Sequence, residues 1–322
     1  MEYRTLGRTG IRVSVIGYGA WAVGGDMWGP QDDRDTIASL KRAFELGCDF
    51  IDTAAVYGMG HSEEVVGAFL RENGAKAAVA TKVPPKNYRW PARKETPIRD
   101  AFPKDHVISE TEKSLKRLKM DCVDLQQLHV WTEEWLDCDE WLSALTKLKE
   151  QGKIRHFGVS INAFEAGSGV ALAESGLVDT IQLVYNIFEQ APEDNLFPAA
   201  LKNNVGIIAR VPLDESSLTG KLTKETAFDP DDFRSRYFKG DRLEETVERV
   251  EKLKPLSAKW GKSLVETALR FSFTHKAVST SIPGIRNVRQ AEENVGAGSI
   301  GPLPDDAVSE LKNHRWNRNW RI

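Results

Sequence analysis

The chain has 322 residues, of which 41% are hydrophobic and 28% charged, with a formal net charge of −3. That balance suits a folded protein with a large core and gives no electrostatic reason to bind nucleic acid or an anionic membrane. The three cysteines, Cys48, Cys122 and Cys138, form no CxxC pair and no Cys/His ligand set, so reduced thiols in a cytoplasmic protein are expected and a structural metal is not.

The opening MEYRTLGRTG is polar and unlike a signal peptide, and no apolar run is long enough for a membrane helix. It reads as a hairpin, EYRTLG returning through RTG into IRVSV. Short apolar runs then alternate with amphipathic stretches. Strands are expected at 13–19, 49–54, 77–83, 122–130, 154–161, 179–185, 205–211 and 277–284. Most are apolar on both alternating sets, as in parallel strands covered on two faces. Helical repeats separate them. DTIASLKRAFELG places Ile37, Leu40, Ala43 and Leu46 on one face, and HSEEVVGAFLREN opens with Ser62 as the expected N-cap. Several of the other helices end in glycine just before the next strand.

Eight strand–helix units after a hairpin predict a (β/α)8 TIM barrel, and the absence of a Ser/Gly/Pro-rich linker predicts one domain over 1–322. Two extra helices and long loops after strands three and seven complete the expectation. The loops are 84–105 and 214–261, the latter with an extra helix, and the tail 305–322 is also surplus to the repeat.

GYGAWA (17–22) formally fits a dinucleotide fingerprint, but that motif must open a helix, and VGGDMWGP follows instead. The glycines read better as a loop that something approaches closely.

In such a barrel, reactive groups gather where strands end. The polar residues there are Asp52 and Tyr57, Lys82, His129, Ser160 and Asn162, Gln182, Arg210 and Arg286. A phenol is a poor acid at neutral pH, with an ordinary pKa of about 10. The Lys82 ammonium beside it would lower that value, and Asp52 would hold Lys82 charged. His129 would orient a carbonyl oxygen while Tyr57 protonates it. Singly, each of these has a structural reading as a cap, a paired core ion or a satisfied core histidine. Jointly, at the ends of strands two to four, they describe a device for carbonyl reduction. No carboxylate/His cluster supports a metal-dependent lyase or isomerase instead.

These segments resemble the aldo-keto reductase family. DTAAVYGMGHSEE is similar to its Asp and Tyr segment, TKV to its Lys strand and LQQLHVW to its His strand. GVSIN, IQLVYN, LTGKL and SIPGIRNVRQAEENVGA are similar to its cofactor segments, and the likeness runs nearly end to end. The resemblance implies NADPH/NADP+ binding without a Rossmann fold, with NADH as an alternative, and a catalytic tetrad of Asp52, Tyr57, Lys82 and His129. It implies that Ser160, Asn162 and Gln182 hold the nicotinamide carboxamide. Arg286, Gln290, Glu293 and Asn294 would hold the adenosine end, where a guanidinium and a helix start suit a phosphate. Further contacts are implied at Gly19, Trp21, Pro212, Leu213, Ser217, Leu218, Gly220, Lys221, Pro283, Gly284 and Ile285. Where many members carry an aromatic residue under the nicotinamide, this chain has Arg210, whose planar guanidinium also stacks. GVSIN inserts Ile161 between Ser160 and Asn162, adjacent in many members.

Trp21, Trp28, Trp90 and Trp131, with Tyr57 and His129, are the expected substrate walls, joined by Trp135, Met27, Tyr88, Trp316 and Trp320. Flat faces suit a sugar ring or an aromatic aldehyde. Arg89, Arg93, Lys94 and Arg99 make the strand-three loop basic. A small-molecule carbonyl or sugar is the expected partner, and a monomer the default. The competing reading is a nicotinamide-binding regulatory or sensor subunit with little turnover.

Overall fold

The computed structural model describes residues 1–261 and 263–318. A hairpin of β1 (Tyr3–Thr5) and β2 (Arg12–Ser14) precedes eight parallel strands. These are β3 (Tyr18–Gly19), β4 (Phe50–Asp52), β5 (Ala78–Val83), β6 (Val123–Leu128), β7 (Ile154–Ser160), β8 (Thr180–Val184), β9 (Gly206–Arg210) and β10 (Val278–Ile282). Each pairs with the next in chain order. Parallel bridges from Ile16 to Ser281 and from Gly19 to Gly284 close the sheet into a barrel.

The expected strand 13–19 is divided. Its first part belongs to the hairpin, Ile16 makes an isolated bridge to Ser281, and Tyr18 and Gly19 form the barrel strand. The glycines there answer close approach: a Cβ on Gly19 would lie 2.8 Å from the carbonyl oxygens of both Ile282 and Pro283. The hairpin covers the N-terminal end of the barrel, where Leu6 and Val13 pack with Phe50, Ala80, Leu125, Ile208 and Ile282. Arg4 ties it to the last strand through the carbonyls of Phe273 (2.7 Å) and Val278 (2.8 Å).

The barrel helices are α1 (Asp33–Glu45), α2 (His61–Asn73), α4 (Lys104–Leu118), α5 (Asp139–Glu150), α6 (Val170–Ser175), α7 (Leu196–Lys202), α10 (Leu264–Thr274) and α11 (Val288–Ile300). The two extra helices are α9 (Arg242–Trp260), in the insertion after β9, and α12 (Asp305–Lys312), near the C-terminus. Two short turns of helix add to them: α3 (Ile98–Ala101), in the loop after β5, and α8 (Phe233–Tyr237), after β9. Side-chain caps start α1 at Asp32, α8 at Asp232, α10 at Ser263 and α11 at Asn287. Ser62 is not the cap of α2. Gly60 holds that position, and the Ser62 hydroxyl turns inward, donating to the Ala20 carbonyl (3.0 Å) and bonding the Thr53 hydroxyl (2.8 Å). Residues 21–24 form a 3-10 turn, so the glycine-rich stretch opens no α-helix. No helix among the described residues is long and apolar enough to cross a membrane.

Candidate active site

Strand alternation builds the site at the C-terminal mouth of the barrel. Asp52 ends β4, and Lys82 stands on β5, opposite Gln127 of β6 in the register. All three are buried. Lys82 Nζ donates to Asp52 Oδ1 (2.6 Å), the Thr53 carbonyl (2.7 Å) and the Tyr57 hydroxyl (3.2 Å), which uses its three protons. Asp52 Oδ2 accepts from Gln182 Nε2 (2.7 Å) and Gln127 Nε2 (3.4 Å). Ser160 Oγ donates to Gln182 Oε1 at 3.4 Å. One chain of polar contacts therefore runs from Ser160 through Gln182, Asp52 and Lys82 to the Tyr57 phenol.

Tyr57 stands on a tight turn after β4 whose next residues, Gly58 and Met59, have positive φ. Gly58 meets Gly24 backbone to backbone: a Cβ on Gly24 would lie 2.4 Å from the Gly58 nitrogen. The Trp21 ring stacks on Tyr57 at 6.1 Å, inclined by 27°. His129 directly follows β6 and presents its ring edge-on to Tyr57 (5.8 Å) and to Trp90 (5.9 Å). Its Nδ1 is buried and has no hydrogen-bond partner among the described residues.

The electrostatics follow from burial. Desolvation pushes the Tyr57 pKa up, more than the Lys82 ammonium pulls it down, and Asp52 adds to the rise. The expected lowering of the phenol is thus reversed, and Tyr57 is a protonated donor at neutral pH. Burial works against the charge of Lys82, but Asp52 and Tyr57 outweigh it and raise its pKa. Burial, then Lys82 and Arg210, hold His129 well below the ordinary imidazole range, so it is neutral. A neutral ring with a protonated phenol beside it offers hydrogen bonds to one developing oxyanion.

These groups open into a cavity of about 1440 Å³. Of the cofactor candidates, Gly19, Trp21, Asp52, Ser160, Asn162, Gln182, Arg210, Pro212, Leu213, Lys221, Pro283, Gly284, Arg286, Gln290, Glu293 and Asn294 line it. Ser217, Leu218, Gly220 and Ile285 lie behind the lining. Ser217 bonds Asp214, Leu218 and Ile285 are in the core, and Gly220 turns the chain at φ 71°. Asn162 reaches the cavity, but its amide is engaged elsewhere. It accepts from Ala92 N (3.0 Å) and donates to Ala92 O (3.0 Å) and Glu165 (2.8 Å), pinning the loop after β5. Arg210 donates to the Ile161 carbonyl (3.2 Å), while its buried Nε has no partner among the described residues. Arg286 reaches the Pro30 carbonyl (2.6 Å) and Gln31 (2.9 Å).

Of the expected walls, Trp21, Trp28, Tyr57, Trp90 and His129 line the cavity, as do Met27 and Tyr88. Trp131 does not. It is fully buried, edge-on to Trp135 (6.1 Å) and Trp141 (5.3 Å), and packs the barrel wall against α5. Trp316 packs on Phe188, and Trp320 lies outside the described residues. Gln127, Phe233, Arg234 and Glu215 join the site without having been singled out. Gln127 had a signal, since it shares an alternating set with His129. Phe233 and Arg234 come from the insertion after β9. Phe233 meets Trp21 edge-on at 5.1 Å, and the Arg234 guanidinium lies 5.0 Å from the Trp28 ring. Among the described residues no group of three or more His, Cys, Asp or Glu side chains is placed to hold a metal.

Buried Asp52 and Lys82 and half-buried Tyr57 and His129 thus meet at the C-terminal mouth of the barrel, beside one large cleft. A model of the aldo/keto reductase family matches residues 15–315, and the chain belongs to that family. It is 34% identical over 297 residues to the aldo-keto reductase YhdN of Bacillus subtilis, covering 91% of this chain and 87% of that one. To the L-galactose dehydrogenase of Arabidopsis thaliana it is 30% identical, covering 97% and 93%. The structure of the glycerol dehydrogenase AKR11B4 from Gluconobacter oxydans superposes with a TM-score of 0.77 at 32% identity, covering 97% of this chain and 95% of that one.

Proposed function

We propose that the protein transfers hydride between NADPH and a small carbonyl substrate, with Tyr57 as the general acid and base. The observation that carries this reading is the buried Lys82, 3.2 Å from the Tyr57 hydroxyl and 2.6 Å from Asp52. A nicotinamide dinucleotide bound in the cleft would supply or accept the hydride. The cleft residues suit such a molecule. The unpartnered Nε of Arg210 and the Ser160–Gln182 pair stand near the tetrad, and Lys221 and Arg286 also line the cleft. Arg286 at the start of α11 favours a cofactor with a 2′-phosphate.

In reduction, Tyr57 gives its proton to the carbonyl oxygen while neutral His129 orients that oxygen. Lys82 stabilises the phenolate left behind, and Asp52 keeps Lys82 charged. In oxidation the same groups run backwards. The aromatic faces of Trp21, Trp28 and Trp90 suit the ring or carbon chain of a sugar or aryl aldehyde. Two relatives named for polyhydroxylated compounds support the sugar side. The reading includes a cytoplasmic setting.

The test is NADPH consumption with a panel of aldoses, aliphatic aldehydes and aryl aldehydes, wild type beside Tyr57→Phe. The variant should keep NADPH binding and lose roughly 10²- to 10⁴-fold in rate, the usual contribution of a positioned acid. Equal rates would remove Tyr57 from the mechanism. Tight NADPH binding with no turnover of any carbonyl would favour the sensor reading.

A further inference from the structure

The loop that follows β9 carries Pro212, Leu213, Glu215 and Ser216 into the cleft. Its backbone is unusual: Val211, Asp214, Glu215 and Ser216 have φ of 56°, 47°, 50° and 75°, and none is glycine. L-residues adopt this left-handed region at a cost and keep it only where surroundings impose it. The loop also buries two consecutive acids, Asp214 at 0% and Glu215 at 7% exposure.

The imposing group comes from 104 residues away in the chain. The side chain of Arg318 is fully buried, and its Nη1 donates to Asp214 Oδ1 at 2.7 Å and to the Tyr237 hydroxyl at 3.0 Å. Tyr237 in turn donates to the same Asp214 oxygen (3.0 Å), while Ser217 donates to the other (2.8 Å). The guanidinium also lies 4.8 Å from the ring of Phe164, another residue of the cleft wall. The tail that delivers it is anchored by Trp316 N on the Phe188 carbonyl (2.8 Å), while the solvent-exposed Arg315–Asp194 pair beside it (2.7 Å) adds little. Arg318 therefore joins the tail, α8 and the β9 loop, and balances the charge of Asp214.

We propose that Arg318 is a positioning residue for the dinucleotide: through Asp214 and Tyr237 it holds loop 211–219 in its binding form, so the C-terminal tail sets cofactor affinity. This rests on the reading of the cleft as a dinucleotide site. Releasing the latch lets the loop leave its left-handed form, and affinity falls with the fraction of molecules still competent. It also leaves Asp214 uncompensated beside an anionic ligand.

The experiment compares Arg318→Ala, Arg318→Lys and Arg315→Ala with wild type. NADPH affinity is read by quenching of tryptophan fluorescence, and loop order by hydrogen exchange of the peptide over 211–221. Arg318→Ala should bind NADPH about tenfold more weakly, as for a competent fraction near one tenth, with kcat at saturating cofactor little changed. Its loop should exchange faster. Arg318→Lys, which keeps a cation but not the planar fork, should fall between and serves if the alanine variant does not fold. Arg315→Ala should match wild type. Wild-type affinity and exchange in both Arg318 variants would overturn the proposal, as would equal weakening by Arg315→Ala. Failure of the wild type to bind NADPH would sink the dinucleotide reading and the cofactor half of this inference together; unchanged exchange with intact NADPH binding sinks the latch alone.

Discussion

The Lys82 ammonium lies 3.2 Å from the Tyr57 hydroxyl and 4.8 Å from the centre of the Tyr57 ring. Lys82 is thus both a hydrogen-bond donor to the phenol and a positive charge close to it. Removing it does two separable things. Lys82→Met leaves Asp52 buried without its cation, which costs about 3–5 kcal/mol of stability. It also removes the main influence that lowers the Tyr57 pKa. Adding Asp52→Asn to Lys82→Met should recover much of the stability and none of the carbonyl reduction. Recovery of rate in the double variant would contradict the assigned role of Lys82.

The rate of carbonyl reduction should be flat through neutral pH and fall only above about pH 10, because Tyr57 must be protonated and burial raises its pKa above the ordinary phenol value. Alcohol oxidation should rise over the same alkaline range. No inflection near pH 6.5 is expected from His129, which stays neutral there. A pH–rate profile in each direction checks all three statements.

Stability should respond to pH on both sides. His129 has a depressed folded pKa, so the unfolded chain takes up its proton first on acidification. That contribution is present above about pH 6.5 and is lost as pH falls. Glu215 is the opposite case: burial, then Asp214, raise it to about 8. Its contribution is full below the unfolded carboxyl value of about 4.3 and is lost as pH rises towards 8. Melting temperature followed from pH 5 to 9 should therefore show Glu215→Gln gaining relative to wild type on the alkaline side.

Trp131 and Trp90 should separate cleanly. Trp131→Ala opens a cavity in a packed Trp cluster and should cost about 3–5 kcal/mol with little change in substrate KM. Trp90, 41% exposed and edge-on to His129, should alter KM with little change in melting temperature. The reverse pattern would misplace the substrate wall.

Arg286→Met should narrow the proposed preference for NADPH over NADH by about ten- to a hundredfold, the 1.5–3 kcal/mol of a hydrogen bond to a charged group. Binding titrations with both cofactors decide this. An unchanged ratio would mean that Arg286 serves only to hold Pro30 and Gln31.

What could be read ahead of the structure was whatever depends on local pattern. Asp52, Lys82 and His129 follow from polar residues at the ends of apolar runs, because strand ends of a parallel barrel face one mouth. Trp131 was misassigned because it lies two residues beyond His129, and alternation alone cannot tell the cleft from the layer under α5. Ser62 has the residue type of a cap, but the cap position is Gly60, two residues earlier. The sign of the Tyr57 shift needed the balance between burial and a nearby charge, which spacing does not contain. The Arg318–Asp214 pair has no signature at all, since nothing local links a tail arginine to a loop acid 104 positions away.

The barrel seam has a kinetic consequence. Its bridges join Ile16 to Ser281 and Gly19 to Gly284, pairs of residues that are each 265 positions apart (281 − 16 and 284 − 19). Contacts of that sequence separation carry a large loop-closure entropy until the intervening strands have formed. We expect the seam to form after the folding transition state. Gly19→Ala, which crowds the seam, should then speed unfolding several-fold and leave the refolding rate nearly unchanged. A chevron in which the refolding limb slows instead would make the closing of the barrel an early event.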